Sequence, residues 1–195
     1  MLSPEVHKKQ KFALMEATVK SIADNGLTNT TSRVIGSLSG VNQVYIYNYF
    51  ENMEDLITKT FDFADRDFLN FLLDNFDVMY LEDVDYQTRC RMLFDRCWRH
   101  ILAYPDWLRF YVRYYYSQQF INNSYADHIE RYKVLADKVA PACHPEANID
   151  TVVHHIIDTL LGQARKLVLC PQDEQRAADD TFWLIFSVLK CGKGI

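Results

Sequence analysis

The scarcity of chain breakers restricts the fold of this sequence more than any other feature. Its 195 residues include only six glycines and five prolines, and apolar residues recur at three- and four-residue spacing along most of its length. Barrels and sandwiches with many turns need such breakers far more often. The pattern predicts an all-α protein of about nine helices.

The breakers that do occur mark the ends of predicted helices. Pro4 suits the first position of a helix that Ser3 caps, and Asn25-Gly26 ends that helix. Ser39-Gly40 separates two short helical segments, at about 31–38 and 42–49. Longer helices are predicted over about 52–76, 86–103, 105–117, 123–140, 149–169 and 173–190, and residues 77–85 are interpreted as an acidic connector.

The stretch from Thr30 to Ile57 is the part of the sequence that indicates a function. Two short helices joined by a tight turn are not stable alone, so they need the preceding helix as a platform. The apolar residues spaced to face that platform are Val34, Ile35, Leu38, Val41, Ile46 and Phe50. The second short helix then points Gln, Asn and Tyr side chains away from the core, where they suit base edges and phosphates of a major groove.

The same stretch resembles the helix-turn-helix of TetR-family regulators. The matching positions keep their spacing without a gap, and they are Thr30-Thr31, Ile35-Gly36, Gly40-Val41, Ile46-Tyr47, Tyr49-Phe50, Asn52 and Glu54-Asp55-Leu56. The resemblance implies a DNA-binding domain at residues 1–57, whose last helix continues to about 76. It implies a larger helical domain at residues 58–195 that binds an effector and dimerises. An ordinary surface hairpin is the alternative interpretation.

The resemblance also implies which side chains contact DNA. Base contacts are expected from Gln43, Val44 and Tyr45, and phosphate contacts from Thr31, Arg33, Tyr47 and Asn48, with Asn42 as the cap of the reading helix. Met53 is a departure, because the family often has a lysine there. An uncharged residue at this position predicts a modest affinity, or a greater dependence on Lys8, Lys9 and Lys11.

The middle of the chain is unusually aromatic. The resemblance implies a ligand pocket in the helical body, and its expected lining is Phe94, Trp98, Trp107, Phe110, Tyr111 and Tyr114. Taken singly, each of these residues fits an ordinary core better than a ligand pocket. The sequence alone leaves both interpretations open.

Two apolar stripes run along the last two predicted helices. One contains Val153, Ile157, Leu160 and Ala164, and the other contains Phe182, Ile185 and Leu189. Two such helices from each of two chains would form a four-helix bundle across a two-fold axis, and a two-fold homodimer suits a palindromic operator. Packing within one chain is an equally good interpretation of the stripes.

The charge of the chain is divided along its length. Residues 1–50 have five basic and three acidic side chains, a net charge of +2, whereas the remainder has a net charge of −7, which together give −5. A basic part that faces DNA on a more acidic body is consistent with this asymmetry.

Several other classes of protein find no support in the sequence. It has no secretory leader and no apolar run long enough for a membrane span, so we expect a cytoplasmic protein with reduced thiols. It contains no phosphate loop, nucleophile elbow or metal-ligand spacing, so we expect neither an enzyme nor a cofactor or metal site.

The expected function is therefore that of a sequence-specific regulator, a repressor that an unidentified small-molecule effector releases from duplex DNA. The alternative is a helical protein-interaction or structural dimer that does not bind DNA specifically.

Overall fold

A computed structural model describes residues 4–171 and 173–189 of the chain. Ser3, the predicted cap of the first helix, lies outside the described residues. The described part contains no strand, which confirms the all-α prediction. Its α-helices are α1 (Pro4–Asn25), α2 (Ser32–Ser39), α3 (Ile46–Tyr49), α4 (Met53–Asp74), α5 (Tyr86–Ala103), α6 (Pro105–Tyr115), α7 (Gln118–Asn123), α8 (Tyr125–Val139), α9 (Ile149–Leu169) and α10 (Glu174–Leu189).

Most helix boundaries lie within two residues of the predicted ones, but three segments differ. The short helix predicted at 42–49 is a 3-10 turn at Gln43–Tyr45 followed by α3, which begins at Ile46. Helix α7 is an additional helix, and it begins where the side chain of Ser117 accepts a hydrogen bond from the backbone N of Phe120 at 3.2 Å. The predicted connector at 77–85 begins inside a short 3-10 helix at Phe76–Tyr80. That segment is ordered by burial, because Phe76 and Val78 are both in the core.

The chain divides into two compact units. The first contains residues up to Asp65 together with Arg109–Ala126, and the second contains Arg66–Leu108 together with the residues from Asp127 onward. Compactness does not reveal which residues perform which task, so the functional division into 1–57 and 58–195 stays a prediction. No described helix is long and apolar enough to cross a bilayer.

Helix α1 is the platform of the first unit. Its buried residues pack against one face of the two short segments, in a cluster formed by Leu14, Met15, Ala17, Ile35, Val41, Ile46, Phe50 and Leu56. The prediction that Leu38 also faces the platform is wrong, because its side chain is 46% exposed. Ile35 is the residue of α2 that is fully buried, since a helix of eight residues presents only a narrow face to its neighbour.

Helices α6 and α7 complete the core of the first unit. The hydroxyl of Tyr111 donates to the buried Asp65 carboxylate at 2.6 Å, and the hydroxyls of Tyr114 and Thr58 lie 2.9 Å apart. The ring of Phe61 packs against both tyrosines, with centroid distances of 4.8 Å in each case. The guanidinium of Arg113 donates to the carbonyl O of Ile22 at 2.6 Å, which joins α6 to the platform.

We expect Gly36→Ala to destabilise the first unit, because a Cβ at Gly36 would lie 3.0 Å from the backbone N of Gln43 and 3.1 Å from the carbonyl O of Val41. Overpacking of this kind lowers the free energy of unfolding by about 1–3 kcal/mol.

Gly162→Ala is the matched control, since Gly162 also lies in a helix but a Cβ there would meet nothing within 4 Å. It should raise stability by about 0.5–1 kcal/mol, the gain in helix propensity. Urea unfolding of both variants measures the difference. Equal effects in the two variants would contradict the close approach at Gly36.

Candidate nucleic-acid interface and ligand cavity

A capped turn sets the direction of the segment after α2. Gly40 ends α2 in the left-handed region at φ 68°, which glycine adopts without strain. The side chain of Ser39 then accepts from the backbone N of Val41 at 3.1 Å, and the side chain of Asn42 accepts from the backbone N of Val44 at 3.0 Å. Asn42 therefore occupies the capping position that the sequence predicts for it.

The segment after Asn42 presents the predicted base-reading residues to the outside. It consists of a 3-10 turn at Gln43–Tyr45 followed directly by α3. Val44, Tyr45 and Tyr47 are 65%, 45% and 57% exposed, and Gln43 and Asn48 are exposed as well.

Burial on the opposite side holds this segment in place. Ile46 is completely buried and Phe50 is 2% exposed, and both belong to the core cluster on α1. A short helix of this kind has little stability of its own. Its orientation therefore follows from these two apolar anchors.

The two predicted phosphate contacts of α2 lie at its start. Thr31 and Arg33 are both exposed. The side-chain oxygen of Thr31 accepts from the backbone N of Val34 at 3.3 Å and caps α2. Because this oxygen acts as an acceptor, its hydroxyl hydrogen can still donate to a phosphate oxygen.

The connection that Tyr49 makes between α3 and the beginning of α1 was not predicted from the sequence. Its hydroxyl donates to Oε1 of Gln10 at 2.7 Å and lies 3.1 Å from Nδ1 of His7. The two rings of His7 and Tyr49 are in edge contact at 5.7 Å. These contacts span about forty residues of sequence, so helical periodicity contains no signal for them.

Met53 packs against the core cluster as a partly buried side chain. It therefore contributes to the interior rather than to the charge of the surface. Beside it, Asn52 caps α4 by accepting from the backbone N of Asp55 at 2.8 Å.

Burial raises the pKa of the Asp55 carboxyl, but hydrogen bonds from Lys59 and from the backbone of Glu51 outweigh burial, so this pKa is lowered. The carboxylate is therefore charged at neutral pH, and its partner Lys59 is engaged at 2.8 Å.

The basic residues of α1 remain at the surface. Lys8, Lys9 and Lys11 are all exposed, although Lys9 forms an ion pair with Glu5 at 3.3 Å. The ammonium of Lys11 lies 5.5 Å from the centre of the Phe50 ring, which places one cation next to the end of α3.

A cavity of about 550 Å³ lies within the second unit. Helices α4, α5, α8, α9 and α10 and the 3-10 segment Phe76–Tyr80 form its wall, which is largely apolar and aromatic. Its volume falls within the range of about 300–1,000 Å³ that is usual for small-molecule sites.

The structure separates the predicted pocket residues. Phe94 lines the cavity, and Trp98 is buried beside it with the ring centroids 5.6 Å apart. The core of the first unit contains Phe110, Tyr111 and Tyr114 instead. Trp107 is half-buried and is not among the residues that line this cavity.

The apolar stripes of α9 and α10 face inward. The residues of the stripes that line the cavity are Val153, Ile157, Leu160, Phe182, Ile185 and Leu189, and Ala164 is fully buried beside them. In the described chain these stripes therefore pack internally, which is the alternative that the sequence left open.

Comparison with known proteins gives a family match in the first unit. A family model described as bacterial regulatory proteins of the TetR family matches residues 14–59, the stretch that contains the capped turn and α3. This stretch of the chain is therefore similar to the corresponding segment of TetR-family regulators.

The chain is also similar to an individual curated protein. Over 70 residues the chain is 34% identical to the HTH-type transcriptional regulator LuxR of Vibrio harveyi, a match that covers 36% of this chain and 34% of that protein. The chain thus spans about a third of the length of this curated relative.

The fold likeness to solved structures of TetR-type regulators extends over nearly the whole chain. A regulator from Marinobacter aquaeolei VT8 has a TM-score of 0.77 at 18% identity and covers 95% of this chain and 98% of its own. A TetR-like regulator from Rhodococcus sp. RHA1 has a TM-score of 0.70 at 12% identity, with 95% and 97% covered. At these identities the likeness establishes the fold.

The cavity contains little reactive chemistry. Burial raises the pKa of the Cys90 thiol, and it raises the pKa of Cys97 to about 12. Burial, followed by the neighbouring Cys90, also raises the pKa of Tyr86. All three groups are therefore neutral at physiological pH.

We expect these buried thiols to react slowly with iodoacetamide, because the thiolate is the nucleophile and it is scarce at neutral pH. Cys170 is exposed and free, and it is the internal reference. Peptide mapping by mass spectrometry should show alkylation of Cys90 and Cys97 that is slower by about tenfold or more. Equal rates in the native protein would contradict their burial, and denaturant should abolish the difference.

Proposed function

We propose that this chain is a sequence-specific DNA-binding transcriptional regulator, a homodimeric repressor that a small-molecule ligand in the second unit releases from its operator. The observation on which the proposal rests is the exposed row of polar and aromatic side chains on the segment Gln43–Asn48, fixed from behind by the buried Ile46 and Phe50.

The chemistry of the exposed row suits a major groove. The amide of Gln43 can form paired hydrogen bonds with adenine, and Val44 offers an apolar contact to a thymine methyl group. Tyr45 lies beside them, and we assign it a contact with the bases as well. The contacts that position the protein on the backbone are assigned to Thr31, Arg33, Tyr47 and Asn48.

Cations near the exposed row support the same orientation. Lys8 and Lys11 lie on α1, and Lys11 is next to Phe50 at the end of α3. Because Met53 is engaged in the core, it does not supply the charge that a lysine would supply there. We therefore assign a larger share of the phosphate attraction to α1.

A dimer would bring two reading segments to successive major grooves of a palindromic operator. The inward position of the stripe residues leaves the outer faces of α9 and α10 for this contact. Leu169, Trp183 and Leu184 are exposed there to 48%, 51% and 50%. Large apolar side chains that are exposed together are typical of an interface.

Release by a ligand would be a shift between two populations. A ligand that binds the cavity more tightly in the state that does not fit the operator lowers the affinity for DNA, and DNA lowers the affinity for the ligand by the same factor. The cavity of about 550 Å³ provides the second site that this mechanism needs.

We predict that Gln43→Ala and Tyr47→Ala each weaken operator binding by about 1–3 kcal/mol, or 5- to 150-fold, because each removes a contact to a base or a phosphate. The operator is obtained by selecting duplexes from a random pool with the parent protein. Fluorescence anisotropy at two salt concentrations measures the affinity, which should fall steeply with salt.

Tyr104→Ala is the control for this experiment, because Tyr104 is exposed to a similar 56% but lies in the second unit. It should bind as the parent does. If both reading variants retain the parent affinity, or if the selected pool shows no preferred sequence, a protein-interaction dimer becomes the better account.

We predict that the double variant Trp183→Asp and Leu184→Asp is monomeric, because two charges would be desolvated in the apolar contact. Sedimentation equilibrium measures the mass. Ile121→Asp is the control, since Ile121 is 54% exposed on α7. A double variant that sediments as a dimer would place the interface elsewhere.

A further inference from the structure

Charged residues are rare in the wall of the cavity. The charged residues that line it are Arg89, Asp137 and Lys138. Asp137 is exposed to solvent, and no ion pair joins it to either cation in the described part of the chain. The wall therefore contains two cations whose charges are not neutralised by an acidic neighbour.

Arg89 on α5 has an unused donor in the interior. Its Nη1 donates to the carbonyl O of Met79 at 2.7 Å, and its guanidinium lies 5.9 Å from the centre of the Tyr86 ring. Its Nε is buried and finds no hydrogen-bond partner among the described residues. A buried donor without an acceptor is unfavourable, and more so when it belongs to a charged group.

Lys138 on α8 has neutral partners. Its ammonium donates to the hydroxyl of Tyr80 at 3.2 Å and lies 4.9 Å from the centre of the Phe76 ring. An ammonium has three hydrogens to donate, so further donors are available to a ligand. Aromatic rings attract a cation, but they do not neutralise it as a carboxylate does.

The two cations lie against the same part of the cavity wall. Arg89 contacts Met79 and Lys138 contacts Phe76 and Tyr80, so both lie against the same short segment. Along α5 the wall continues from Arg89 through Leu93 to Cys97, about 12 Å at 1.5 Å per residue, and gains no further charge in that direction.

We propose that this cavity binds an amphipathic acid, an elongated apolar molecule whose compact anionic head is held by Arg89 and Lys138 and whose body lies along Leu93 and Cys97. The inference deepens the proposed function, since it takes the cavity as the effector site. A guanidinium pairs with a carboxylate through two parallel hydrogen bonds. The ligand would supply the acceptor that Nε of Arg89 otherwise lacks.

Other chemistries fit the cavity less well. A cationic amphiphile would place its charge beside Arg89 and Lys138, which repel it. A neutral alcohol would gain the same apolar contacts but would leave both charges unpaired. The neighbouring phenol of Tyr86 stays neutral at physiological pH, so it adds no negative charge that would oppose an anion.

The test is calorimetric titration of the full-length protein at neutral pH with three probes that share a ten-carbon chain: decanoate, decan-1-ol and decyltrimethylammonium. Decanoate should bind at least about tenfold more tightly than decan-1-ol, the effect of one charge-assisted hydrogen bond. Decyltrimethylammonium should bind most weakly. Equal affinities for decanoate and decan-1-ol, or a preference for the cation, would overturn the proposal.

Arg89→Met and Lys138→Met identify the groups that hold the head. Each should weaken decanoate binding by about tenfold or more and leave decan-1-ol binding within about twofold. The unchanged affinity for the alcohol shows that the cavity is intact in each variant. If one variant does not fold, the other decides.

Arg99→Met is the matched control, because Arg99 is exposed on the same helix, is not among the residues that line the cavity, and donates to the carbonyl O of Asp95 at 3.1 Å. It should bind decanoate as the parent does. Retention of the decanoate preference in both cavity variants would overturn the assignment to Arg89 and Lys138.

These titrations contain no DNA, so their outcome is separate from that of the proposed function. A selective decanoate site in a protein that selects no operator would leave the ligand class standing and refute the regulator. Operator binding without decanoate selectivity would refute the ligand class and leave the regulator standing.

Discussion

The burial of Ile46 and Phe50 against α1 is the constraint on which the exposed row of Gln43–Asn48 depends. The segment from Gln43 to Tyr49 is too short to hold a helical conformation by itself, and its outward side chains contribute little to its stability. Two apolar anchors on one side therefore determine where every polar group on the other side points. Tyr49 adds a polar link to the start of α1, through Gln10 and His7.

The features that the sequence predicted well are local ones. The caps at Asn42 and Asn52, the break at Gly40 and the alternation of buried Ile46 with exposed Tyr45 and Tyr47 are all determined by residues a few positions apart. These local preferences all favour the same conformation of the segment. For that reason the ends of α1 and α2 and the start of α4 were predicted within two residues, and the exposed row was identified.

The features that the sequence did not predict depend on packing between distant segments. Periodicity shows that Phe110, Tyr111 and Tyr114 have a buried side, but it does not tell which core receives them, and the structure places them around Phe61. The apolar stripes of α9 and α10 were equally consistent with packing against a partner chain and with packing inside one chain. In the described chain they pack inside. The hydrogen bond from Arg89 to the carbonyl O of Met79 could not be predicted from the sequence pattern.

The inward packing of Met53 has a consequence for how such a protein responds to its surroundings. Each phosphate that a cation neutralises releases counterions and steepens the decline of affinity with salt by about 0.9 in the logarithmic slope. A methionine that packs in the interior cannot make such a contact with a phosphate. A regulator built in this way would bind DNA less tightly. The fraction of its operator that it occupies would change less when the ionic composition of the cell fluctuates.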